Sequence, residues 1–126
     1  MTEEQIQTAA RKGFADQFRQ CPDMLDKTLA NLSKHEIECL LIGICKEFMF
    51  AKKNSFSMNE IQSQAFDYVL LRIKDFVHHH ECLTWLSFRE WDLELVDEFV
   101  YIVYINFDYM YCKLTQEQML ADKIPY

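Results

Sequence analysis

Two glycines and two prolines in 126 residues leave this chain few places where it can turn tightly. Glycine supplies the positive-φ conformations of short turns, and proline pre-sets their first corner. Sandwiches and barrels need such turns repeatedly, so the scarcity argues against all-β architecture and for long uninterrupted elements. Half of the residues are apolar and 14% are aromatic. That much apolar area offsets the entropy of ordering, so a disordered chain is not expected. A domain of this length removes roughly two-thirds of its unfolded surface from water. The chain is therefore expected to fold as one all-α domain over residues 1–126.

Helix starts recur along it. Ser33-Lys34-His35-Glu36, Ser57-Met58-Asn59-Glu60 and Ser87-Phe88-Arg89-Glu90 match the capping box, in which Ser and Glu each satisfy one otherwise orphaned N–H. Thr2-Glu3-Glu4-Gln5 and Thr115-Gln116-Glu117-Gln118 fit the same template with Gln. Apolar spacing then predicts helices over about 3–19, 22–31 (with Leu25, Leu29 and Leu32 inward), 34–52, 58–78 and 88–113, and a short helix near 116–121. The outcome is a compact bundle of about five helices plus a short C-terminal one. Phe99 to Ile105 is rich in β-branched and aromatic residues, which taken alone suggests a strand. Leu93, Val96, Val100, Val103, Phe107, Met110 and Leu114 recur at spacings of three and four, however, and decide for a helix. No internal repeat, low-complexity tract or linker is visible.

The five cysteines, Cys21, Cys39, Cys45, Cys82 and Cys112, are odd in number and scattered, unlike a disulfide framework. Thr2-Glu3-Glu4-Gln5 does not resemble the start of a signal peptide, and the longest apolar run, Cys39 to Cys45, is too short to span a bilayer. A reduced, cytoplasmic setting is expected. His78-His79-His80 with Cys82 offers two ligands at helical spacing, but no H-E-x-x-H or C-x-x-C completes a metal set. Cys82 beside histidines does not make a nucleophilic triad, and glycine is too scarce to build an oxyanion loop readily. No catalytic residue, metal ligand or cofactor is assigned.

Charge is uneven. Residues 1–80 carry 11 acids and 10 bases, whereas residues 81–126 carry 9 acids and 3 bases, within a formal net charge of −7. Nucleic acid and anionic membranes are poor partners for such a chain. On the last long helix Asp97, Tyr101, Tyr104, Asp108 and Tyr111 are spaced four, three, four and three, and Glu90 and Glu94 extend the stripe. Acids steer a basic partner, and tyrosines give contact area at low entropy cost. These seven residues form the candidate partner-binding set, which Glu98, Ile102, Ile105 and Tyr109 could extend. Alternatively the acids complement the helix dipole and the tyrosines pack inward. Trp85 and Trp91 read first as core, with an exposed one counting as an interface anchor.

In size, acidity and lack of catalytic parts the chain resembles the immunity and inhibitor proteins of bacterial toxin systems. The resemblance is one of class and rests on composition. It implies a non-catalytic protein that neutralises a basic partner, such as a toxin nuclease, by occupying its nucleic-acid surface. Charge reversal at Asp97 and Asp108 should then weaken binding with little loss of folding. The alternative is a homo-oligomeric structural or adaptor module pairing through the tyrosine face, monomer and homodimer both being open, although acids on that face oppose self-pairing. A metal-dependent enzyme or sensor built on His78 to Cys82 is the third reading.

Overall fold

The computed structural model describes residues 2–54, 56 and 59–123. Among them the chain is helical, with no strand longer than the isolated antiparallel bridge between Thr28 and Ser87. Four α-helices are present: α1 (Glu3–Gln20), α2 (Lys34–Ala51), α3 (Glu60–His79) and α4 (Leu93–Lys123). All-α architecture is as expected, but the helix count is lower. The expected helix over 22–31 is two 3₁₀ turns, Pro22–Asp26 and Leu29–Asn31. The expected C-terminal helix is the continuation of α4, which runs unbroken for 31 residues.

The caps explain the boundaries. Thr2 and Ser33 close reciprocal capping boxes with Gln5 and Glu36 at the starts of α1 and α2. Ser57 and Met58 of the third expected box lie outside the described residues, and α3 is capped by Asn59, which accepts from the Gln62 N–H. Ser87 and Glu90 do pair, but around the 3₁₀ turn Phe88–Glu90. Trp91 is extended, and α4 begins after Asp92, whose carboxylate accepts from the Leu95 N–H at 2.8 Å. Thr115 lies in mid-helix and caps nothing.

The structure contradicts the expectation of no internal repeat. Each half is a helix, two 3₁₀ turns and a helix, and equivalent positions stand 59 residues apart (80 − 21, 87 − 28, 91 − 32). Cys21 ends α1 at φ −130°, ψ 73°, and His80 ends α3 at φ −132°, ψ 79°. Leu32 and Trp91 match at φ −67°, ψ 139° and φ −66°, ψ 131°. Buried positions follow the same offset: Met24 with Leu83, Leu29 with Phe88, Leu40 with Phe99, Leu41 with Val100, Ile44 with Val103. The bridging pair Thr28 and Ser87 is itself related by it, so the connectors cross antiparallel where the halves meet. Two surface grooves repeat too. Gly13, Asp16, Gln17, Gln20, Cys39, Gly43 and Glu47 line one between α1 and α2. Their equivalents Arg72, Asp75, Phe76, His79, Glu98, Ile102 and Asn106 line the other, between α3 and α4.

The halves differ in how their helices approach. Both glycines of the chain sit at the α1/α2 crossing, where a Cβ on Gly13 would lie 2.1 Å from the Gly43 carbonyl oxygen. The α3/α4 pair has Arg72 and Ile102 at those positions. Between the halves lies an aromatic core: Phe14, Phe18, Phe88, Trp91 and Phe99 are buried, with Phe88 and Trp91 centroids 4.6 Å apart.

Candidate partner-binding face

The helical pitch of α4 divides the seven candidate residues. Val100, Val103 and Phe107 define its core side. Asp97, Tyr104 and Asp108 lie at the edge of that side and turn toward α1 and α2. The Arg11 guanidinium clamps Asp97 bidentately, at 2.7 and 3.0 Å. That hydrogen bond holds the Arg11 pKa above its ordinary value against a smaller opposing effect of burial. Gln7 donates to the Asp97 carbonyl and accepts from the Tyr104 hydroxyl at 2.8 Å. Tyr104 is only 6% exposed and stacks on Phe48, and burial, then the neighbouring Tyr101, Glu3 and Asp97, push its phenol pKa up. Asp108 faces Lys52 at 3.5 Å, whose ammonium also sits over the Phe48 ring. Tyr111 is half-buried, its ring parallel to Phe107.

Tyr104 is thus a core residue and is withdrawn as a partner contact, and Asp97 and Asp108 tie α4 to the first half of the fold. Charge reversal at Asp97 would set two cations together, so a loss of folding stability is expected there. Glu90, Glu94 and Tyr101 remain on the surface. The acid–tyrosine stripe rests on spacing alone, and spacing fixes a line along a helix without saying which side of the line is inward.

Two residues absent from the candidate set stand out. Trp85 is 68% exposed and Leu93 is 59% exposed. Trp85 lies between the connector turns, outside any periodic run. Leu93 fits the spacing of the core stripe but occupies the first turn of α4, ahead of where that stripe becomes buried. Trp91, by contrast, is buried among Phe14, Phe88 and Phe99. Around the two exposed side chains, residues 81–98 hold six acids and one base, Arg89, which is engaged by Asp26 at 2.9 Å. Asp97 faces Arg11 and Glu98 faces His80 at 3.2 Å. Glu81, Glu90, Asp92 and Glu94 have no cationic partner among the described residues. The corner where the second connector meets α4 therefore combines a bare indole and a bare leucine with uncompensated carboxylates.

The histidine run does not make a metal centre in the described residues, where no cluster of three or more His, Cys, Asp or Glu stands at ligating geometry. Helix α3 ends at His79, so Cys82 falls in a 3₁₀ turn and loses the helical register with His78. His79 and His80 point ring nitrogens at the Asp75 and Phe76 carbonyls, as suits a helix C-terminus. One pair escaped sequence reasoning: His35 Nε2 stands 3.6 Å from Cys39 Sγ on α2, and among the described residues no carboxylate orients that imidazole. No helix of the described residues is long and apolar enough to cross a membrane.

Comparison with protein-family models, with curated proteins and with solved structures gives no match.

Proposed function

We propose that this chain is a non-catalytic binding protein that neutralises a basic protein partner, concretely an immunity protein that blocks a toxin nuclease in the bacterial cytoplasm. The observation that carries the reading is Trp85, bare to solvent in a short stretch of chain that also exposes Leu93, Glu81, Glu90, Asp92 and Glu94. A large exposed indole on a soluble domain is a cost unless something covers it, and Trp is the residue most enriched among interface hot spots. The carboxylates draw a cationic surface in and repel nucleic acid from the same place, which is how competition with a nuclease substrate would work. Tyr101, one face further along α4, extends the contact area.

The test is inhibition of a basic nuclease, sought first among the products of the genes that neighbour the one for this chain. Stoichiometric loss of its cleavage activity is expected, relieved at least about tenfold by Trp85→Ala, the size of effect a hot-spot anchor produces. Glu94→Lys is expected to slow association and reduce its salt dependence. Full inhibition by the doubly substituted protein would overturn the assignment of this corner. Absence of binding by the wild type would overturn the function.

A further inference from the structure

Beyond the acidic corner, α4 carries a second unpartnered surface along its outer side. Ile102, half-buried at the groove between α3 and α4, and then Ile105, Tyr109, Cys112, Gln116 and Met119 follow one another at spacings of three, four, three, four and three. This is the seam of a helix that pairs with another helix, since two turns at that spacing keep one face toward a partner. Tyr109 and Met119 are 56% and 52% exposed, and Cys112 and Gln116 are also at the surface. Leu71, another exposed apolar side chain, and Tyr68, whose ring centroid lies 6.0 Å from that of Tyr109, widen the patch onto α3. The equivalent positions in the first half, Gly43, Lys46 and Phe50, do not continue as a seam because α2 stops at Ala51. Helix α4 outruns its counterpart by about three and a half turns, and that extension carries the second half of the seam.

We propose that this seam is where two copies of the chain pair, their α4 helices antiparallel about a two-fold axis beside Cys112. Three observations select a second copy over another partner. No acid occupies a seam position from Ile102 to Met119, and Asp108, which lies between Ile105 and Tyr109, is turned to Lys52. The objection that like charges would meet is therefore removed. The seam is self-complementary in the antiparallel sense: with Cys112 at the centre, Ile105 of one copy meets Met119 of the other, and Tyr109 meets Gln116. The charged ends match as well. Lys123 of each copy comes within one turn of Glu98 and Tyr101 of the other, pairing the basic end of α4 with its acidic beginning. Trp85 and Leu93 precede the paired stretch of α4 in the chain, so the dimer shares only Tyr101 with the binding corner and does not depend on it.

Sedimentation equilibrium of the full chain across the micromolar range tests the pairing. A dimer is expected, and Ile105→Glu with Tyr109→Glu should weaken it by more than about tenfold by setting carboxylates against an apolar seam. Helical circular dichroism should be unchanged, since both sites are exposed. Orientation is read by cross-linking with diamide, which takes one hydrogen from each of two thiols. Wild type should give a Cys112–Cys112 disulfide between copies. Ile105→Cys in a Cys112→Ser background should not link through position 105, because antiparallel pairing holds those sites about 21 Å apart at 1.5 Å per residue. Adding Met119→Cys should restore a 105–119 link. A monomer throughout, a dimer indifferent to the glutamates, or a 105–105 link, as parallel pairing would give, overturns the proposal.

Discussion

Replacing Gly13 with Ala would set a methyl carbon 2.1 Å from a backbone oxygen, and backbone cannot swing aside as a flexible side chain can. Helix propensity favours Ala by about 1 kcal/mol, but overpacking costs of about 1–3 kcal/mol grow when the obstacle is main chain. Gly13→Ala should therefore be clearly destabilised in urea denaturation, and more so than Gly43→Ala, whose nearest contact is 2.9 Å. Equal stability of the two would mean that the helices are not held this close. The tryptophans should separate as sharply. Trp91→Ala removes a buried ring and should cost about 3–5 kcal/mol, whereas Trp85→Ala should stay within about 0.5 kcal/mol of wild type. Glu36 gives a pH signature. Its carboxyl is held down to about 2 from 4.5, first by the Lys27 ammonium and then by the Ser33 N–H it caps. A lowered carboxylate pKa adds stability above the ordinary value, and that contribution is lost as pH falls from 4.5 toward 2. Acid titration of Glu36→Gln should show a flatter slope in that window.

At the scale of elements, helices were legible wherever a cap and a 3.6-residue spacing agreed, as at Thr2 for α1 and Ser33 for α2. The connectors were not. Leu25, Leu29 and Leu32 look like one helix face by spacing, yet only five and three residues form turns there, with Lys27 and Thr28 extended between them. Three-residue turns leave too few positions for a period to appear. The same limit hid the start of α4: Ser87 and Glu90 form the capping pair that the sequence suggests, but the turn they cap ends before a helix can propagate. Asp92→Ala should thus cost about 1 kcal/mol as the loss of a true helix cap. Ser87→Ala should cost less, and thermal denaturation of the two variants will rank them. The repeat was invisible for a different reason. From Glu3 to Ala51, only Gln5, Asp16 and Phe48 find the identical residue 59 positions later. What the halves share is which positions are buried, and burial tolerates Leu40 against Phe99 or Leu32 against Trp91. Even the ion pair Lys27–Glu36, at 2.6 Å, is matched by two leucines, Leu86 and Leu95.

For the whole molecule, the acidic balance read from composition divides into carboxylates that hold the fold and carboxylates that do not. Asp97 and Asp108 belong to the first group, and their removal should lower stability before it affects any partner. Glu81 and Glu94 belong to the second, whereas Glu90 and Asp92 also cap a turn and the start of α4. Raising salt should slow association with a basic partner steeply while changing unfolding free energy little, because Glu81 and Glu94 are exposed and hold no cation among the described residues. Stopped-flow association rates at two ionic strengths, set beside urea unfolding at the same two, would show the divergence. The site was only partly legible because spacing located the right helix and charge located its right end. Which residues faced out depended on Arg11 and Lys52, more than fifty positions away, and on a connector that has no period.

The crossed connectors have a consequence for how this domain comes apart. Each half keeps both of its own helices, and the segment between α2 and α3 is the only covalent join from one half to the other. Cut there, the chain becomes two complementary fragments whose shared aromatic core is left half-filled in each. Synthesised separately and mixed, they should recover native helicity only together, with a concentration-dependent midpoint. The domain would then serve as a natural complementation pair, reporting on whatever brings its two pieces within reach of each other.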